Sequence, residues 1–139
     1  VVTASTDEGK IDIRQLDGGA ALCTWFGRTP SFHDAKLSRL ELRQGSDSFL
    51  TAHIFEAGPE VDSDGYYVQT KHAAVTFTLG ELIAVELYDF MEAGIMFGLD
   101  IEADAEGVTL RFDASYGVNG QTKAKRASVS FAPEDAAAS

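Results

Sequence analysis

Residues able to do chemistry are few in this chain. Phe32-His33-Asp34 sets an imidazole beside a carboxylate, a pairing that can orient a general base or support a metal site. Neighbours on an extended chain point to opposite faces, so His33 and Asp34 act together only where the loop bends. With Tyr116 or Tyr88 nearby they would make an acid–base site. The competing structural role, which the sequence favours, has Asp34 bonding local backbone amides where the loop enters a strand, with His33 fixed in the same corner. His53 and His72 fall within predicted strands and offer no convergent histidine set. Cys23 lies beside Leu22 in an apolar segment. A reactive thiolate needs a cation or histidine beside it, so Cys23 is expected to be buried.

Other signatures are missing from the sequence. It has no glycine-rich phosphate loop followed by Lys, no His-Glu-x-x-His and no Gly-x-Ser-x-Gly. The single cysteine excludes an internal disulfide and a multi-cysteine zinc site. No catalytic residue, metal ligand or cofactor is predicted, and the chain is not expected to be an enzyme.

The acidic residues are more suggestive. The chain holds 22 acids against 11 bases, a formal charge of −11. Such a chain is a poor fit for nucleic acid, whose phosphates need clustered Lys and Arg, and it is repelled by anionic lipid. From His72 to Leu110 there is no Lys or Arg, while Glu81, Glu86, Asp89, Glu92, Asp100, Glu102, Asp104 and Glu106 all fall there. Asp100, Glu102, Asp104 and Glu106 alternate, so a strand extending through them would project an acidic row from one face. Like charges side by side are destabilising. The stretch from Glu86 to Glu106 is therefore a candidate contact for a basic partner. Solvated strand ends are the plainer account. Asp104 and Glu106 before Gly107 lack the full spacing of a calcium loop.

The elements that would position these residues are mostly strands. Lys10–Leu16 is predicted as a short strand. Gly18–Gly27 is predicted as a helix, with Asp17 to cap it, Gly27 to end it, and Trp25 and Phe26 to anchor it on a sheet. From Lys36 onward, apolar and polar residues alternate in segments separated by Gly-containing turns, the pattern of strands with one wet face. Gly58–Gly65 reads as a loop, and Gly80 separates two extended segments. Asn119-Gly120 is the strongest hairpin signal, since both residues tolerate positive φ in a type I′ turn. Lys123, Lys125 and Arg126 on the last strand are expected to pair with acids across the sheet.

The predicted fold is α+β, mostly β: an antiparallel meandering sheet of about six or seven strands with one short N-terminal helix packed on it. One domain spans 10–132, with 1–9 and 133–139 as flexible termini. The first residues show neither the basic nor the apolar run of a targeting signal; the sequence begins at Val1 and not Met, so a leader removed upstream stays open. The apolar face left uncovered by the helix would curl on itself or pack on a second copy as a homodimer.

Taken in order, Phe26-Gly27, Pro30-Ser31-Phe32-His33-Asp34-Ala35, Val75-Thr76-Phe77, Leu87-Tyr88-Asp89-Phe90, Ile95-Met96-Phe97-Gly98-Leu99-Asp100-Ile101 and Ser115-Tyr116-Gly117-Val118-Asn119-Gly120 form a pattern. This pattern resembles the bacterial immunity proteins of polymorphic toxin systems, in the immunity-protein-fifty family, from about Leu16 to Phe131. The chain departs from that pattern where Met91-Glu92-Ala93-Gly94, and not Asn and Gln, follow the Asp-x-Phe element, and where Thr29 precedes Pro30 in place of Trp. The resemblance implies a cytoplasmic, cofactor-free protein that binds a protein toxin and blocks its active surface. Phe32, His33, Asp34, Tyr116, Gly117 and Gly120 carry the family pattern and are expected to be structural. Glu86, Asp89, Glu92, Asp100, Glu102, Asp104 and Glu106 are the expected toxin contact. No nucleic acid or membrane is expected as partner. The alternative is a small β-sheet binding or structural domain without a toxin.

Overall fold

The computed structural model describes residues 9–61, 63–65, 67–90 and 94–134, with the side chains of 57–61, 67–70, 115 and 116 outside the description. One short helix, α1 (Gly19–Phe26), precedes six strands: β1 (Lys36–Glu41), β2 (Ser48–Val61), β3 (Tyr67–Tyr88), β4 (Ile95–Ala103), β5 (Val108–Tyr116) and β6 (Asn119–Pro133). The α+β, mostly β architecture with one short helix is as the alternation and the single helix-like segment predict. All strand pairs are antiparallel, and the sheet closes into a barrel in the order β1-β2-β3-β6-β5-β4.

That order is two meanders, β1–β3 and β4–β6, joined where β3 pairs with β6 and where β1 meets β4. Chain order thus holds within each half and changes between them. Curling on itself is how the sheet covers its apolar face, and α1 covers one end. Leu22, Cys23 and Phe26 point from α1 into the same core as Leu50, Phe77 and Phe112. Trp25 packs on Phe131 of β6, ring centroids 5.3 Å apart. Gly27, at φ 95°, ends the helix, and its N–H donates to the Cys23 carbonyl, an arrangement that glycine adopts without a Cβ penalty. The Lys71 ammonium donates to the Phe26 carbonyl at 2.8 Å, which satisfies a helix-end acceptor.

Several local expectations change. Ile13–Gln15 is a 3₁₀ turn and not a strand. Asp12 caps it, accepting from Arg14 N–H, while the Gln15 side chain returns to Asp12 N–H; this reciprocal cap favours a turn over extension. Asp17 does not cap α1. The N-cap is Gly18, with no side-chain bond, and the Asp17 carbonyl instead accepts from Val129 N–H at 2.8 Å. Gly58–Val61 belongs to β2, and β3 runs through Gly80, which stays in register opposite Arg126. The last hairpin turns at Gly117-Val118, two residues before Asn119-Gly120, which pair inside β6 with Tyr88 and Leu87. Of the expected flexible termini, 1–8 and 135–139 lie outside the described residues. Gly9 and Glu134 are held: Ala103 N–H donates to the Gly9 carbonyl, and Glu134 N–H to the His72 carbonyl. No helix among the described residues is long and apolar enough to cross a membrane.

Candidate functional site

The Phe32–Ala35 corner forms the barrel's closing seam. Asp34 N–H donates to the Met96 carbonyl and Met96 N–H to the Ala35 carbonyl, both at 2.8 Å, and Leu37 N–H donates to the Gly94 carbonyl at 2.9 Å. Asp34 is left-handed, at φ 68°, and this bend swings its carboxylate to the side where His33 lies. The two side chains meet, Nδ1 to Oδ2 at 3.4 Å, and both stand more than half exposed. The local amide bond expected of Asp34 is made by Ser31, whose hydroxyl accepts from His33 N–H at 3.1 Å. Phe32 and Ala35 are the buried members of the corner, and the Phe32 ring packs 5.7 Å from that of Phe77.

Beside His33 stands Phe97, ring centroids 5.6 Å apart. A bulge puts it there. Met96 lies opposite Ala114 and Gly98 opposite Asp113, so Phe97 is the extra residue of β4. A bulge breaks the period of two and re-aims one side chain. Met96 and Ile101 stay in the core while Phe97 is 63% exposed. The sequence shows alternation through this segment and gives no sign of the extra residue.

A second exposed apolar region lies at the far end of β3. Beyond Leu79, the last residue paired with β2, β3 continues on β6 alone. Ile83, Val85 and Tyr88 are exposed there, as is Phe90 just after. A groove of about 830 Å³ runs between Leu42–Gly45 of the β1–β2 turn and Leu82–Val85 of β3.

The acidic row does not form as predicted. β4 ends at Ala103, so only Asp100 and Glu102 share a strand face, while Asp104 and Glu106 lie in the turn to β5. That turn is built by Asp104, whose carboxylate accepts from Glu106 N–H and Gly107 N–H. Most of these acids meet cations. Lys123 binds both Asp104, at 2.9 Å, and Glu106, at 2.8 Å. Arg111 pairs with Glu102, and Lys10 lies 3.9 Å from Asp100. The hydrogen bond from Lys123 holds the Asp104 carboxyl below its usual value, with help from the turn amides. Lys125 and Arg126 take Glu81, whose pKa is lowered chiefly by the Arg126 hydrogen bond. Glu86 accepts from the neutral Gln121 amide at 2.7 Å. Among the described residues, neither Glu86 nor Asp89 has a cation partner. Glu92 lies outside the described residues.

The remaining candidates stay apart. His53 Nδ1 sits 2.6 Å from the Glu134 carboxylate, and His72 stacks on Phe55. Cys23 is buried. Tyr88 ends β3, and the Tyr116 backbone pairs with Ile95, its side chain lying outside the description. Gly117, at φ 89°, makes the turn. Gly120, at φ 148°, sits where a Cβ would come 1.9 Å from the Glu86 carbonyl oxygen, so its lack of a side chain permits the β3–β6 approach. No group of three or more His, Cys, Asp or Glu that could hold a metal is found among the described residues. Compared with protein-family models, curated proteins and solved structures, the chain matches none.

Proposed function

We propose that this chain is a non-catalytic, cofactor-free protein of the toxin-immunity kind, acting in the cytoplasm by binding a protein toxin and covering its active surface. The observation that carries this reading is the set of exposed aromatic residues, Tyr88, Phe90 and Phe97, each about 60% exposed. Large exposed aromatics are the usual anchors of protein interfaces. The resemblance along Leu16–Phe131 supplies the toxin as the kind of partner. Among the described residues the expected acidic contact shrinks to Glu86 and Asp89, because Asp100, Glu102, Asp104 and Glu106 are matched by bases of the same chain. That internal pairing favours, as a second reading, a small β-barrel binding domain with no toxin partner.

The test is co-expression with the product of the neighbouring reading frame. Restored growth of a host poisoned by that product, together with a stable one-to-one complex, is expected. A toxic neighbour that this chain neither binds nor neutralises would favour the second reading.

A further inference from the structure

We propose that the free edge of β3 at Ala84–Tyr88 takes up an extended, basic segment of the partner as an added strand. This deepens the toxin-binding reading and rests on it. β2 begins at Ser48 opposite Leu79, so it has already turned away where β3 continues to Tyr88. Alternate residues of an antiparallel strand direct N–H and C=O to opposite sides. Along this stretch one side is taken by β6, and the other has no partner strand among the described residues. Unpaired edges are normally blunted by Lys, Pro or bulges. Glu81–Tyr88 contains neither Lys nor Pro. Its bulge lies at Leu82/Ala84, after which Ala84 to Tyr88 pair regularly with Lys123 to Asn119.

The two faces of this edge specify the occupant. Val85 lies opposite Thr122, a buried residue, and so belongs to the inner face, yet it is 38% exposed. It borders the groove with Leu42 and Ile83. Glu86 lies opposite Gln121 on the outer face. An incoming strand therefore meets apolar contact on one face and a carboxylate without a cation on the other. The complement is an alternation of apolar and basic residues. Charge also decides against a second copy, since two chains of −11 repel on approach.

The probe is a short peptide of alternating valine and lysine, added to the full chain and followed by amide hydrogen exchange and amide chemical shifts. Slowed exchange at alternate amides of Ala84–Tyr88 is expected, by about tenfold or more at saturation. Replacing the central valine of the peptide by proline should abolish it. Glu86→Lys, an exposed change that leaves the core untouched, should weaken binding about threefold or more. Protection that survives the proline peptide, shifts centred on Phe97, or no protection at any soluble peptide concentration would overturn the proposal. A concentration-dependent dimer protecting the same amides without peptide would overturn it in favour of self-pairing. Neutralisation of the neighbouring toxin with these amides unprotected defeats strand addition and leaves the immunity reading standing. Peptide capture without toxin neutralisation does the reverse.

Discussion

Phe97→Ala separates a binding residue from a packing residue, with Phe112→Ala as its internal standard. Fully burying a phenylalanine side chain contributes about 1.5–3 kcal/mol. Phe97 is 63% exposed, so little more than a third of that is at stake, roughly 0.5–1 kcal/mol. Phe112 is 1% exposed in the barrel core, and its truncation should cost about 3–5 kcal/mol once the cavity is counted. Urea unfolding measures both. The single tryptophan, Trp25, reports on it from the junction of α1 with Phe131. Binding should show the opposite order. An aromatic anchor covered by a partner is worth about 2 kcal/mol or more, near 30-fold in Kd. Phe97→Ala is therefore expected to be nearly as stable as the parent and to lose most of its affinity for the proposed toxin partner. His33→Ala should follow it weakly, because His33 touches Phe97 and is itself more than half exposed. A Phe97→Ala protein that keeps its affinity within about threefold would refute the placing of this ring in the contact. A stability loss matching that of Phe112→Ala would refute the geometry.

Three further outcomes follow from the fold. Gly120→Ala should cost more than about 3 kcal/mol or prevent folding, because its Cβ would meet the Glu86 carbonyl at 1.9 Å; near-parental urea stability would contradict the close β3–β6 approach. The buried Thr122 hydroxyl has no hydrogen-bond partner among the described residues, so Thr122→Val should raise stability by about 1 kcal/mol, and a loss in the same unfolding assay would show the hydroxyl to be satisfied. Asp104 has a lowered pKa, so its contribution is full above its usual 3.8 and disappears as pH falls through the folded value. Lys123, raised above its usual 10.5 chiefly by its Glu106 hydrogen bond, contributes fully below that value and loses its contribution as pH rises through the folded one. The penalty of Lys123→Met should accordingly be flat through neutral pH and shrink at both extremes; equal penalties at pH 2 and pH 7 would count against these pairs.

Much of the β architecture was legible because burial follows local periodicity. Val108 to Phe112 and Val75 to Leu79 alternate, and each became a strand with its apolar set inward; Ile95 to Ile101 became a strand as well, but there Met96 is buried and Phe97 exposed. The α1 segment ended at Gly27 because a left-handed terminator is a local property of the backbone. What was not legible depended on distant partners. Asn119-Gly120 satisfied the local rules for a turn, yet β3 supplies Tyr88 and Leu87 as pairing partners and keeps both residues in a strand. Gly80 looks like a break in isolation, but β6 pairs with β3 on both sides of it, with the Arg126 side chain over the Gly80 Cα. The Phe97 bulge is likewise a matter of register against β5.

The acidic stretch shows why charge along a sequence differs from charge on a surface. The acids lie on β3 and β4 and just beyond their ends, and β6 holds Lys123, Lys125 and Arg126. In a simple meander β3 would lie against β4, acid beside acid. In the order β3-β6-β5-β4, the basic strand lies beside β3 and one strand from the β4–β5 turn. Arg126 thereby reaches Glu81, and Lys123 reaches Asp104 and Glu106. Like-charge repulsion between neighbouring strands favours this arrangement over the sequential one. The same logic explains what is left over. Toward the Tyr88 end, β6 presents Asn119, Gly120, Gln121 and Thr122, none of them basic, so Glu86 and Asp89 stay without a cation where β3 also lacks a second strand. A basic residue placed there, as in Gln121→Lys, should give Glu86 an internal partner and weaken any basic strand that docks on this edge; unchanged peptide affinity would show that the carboxylate takes no part in recognition.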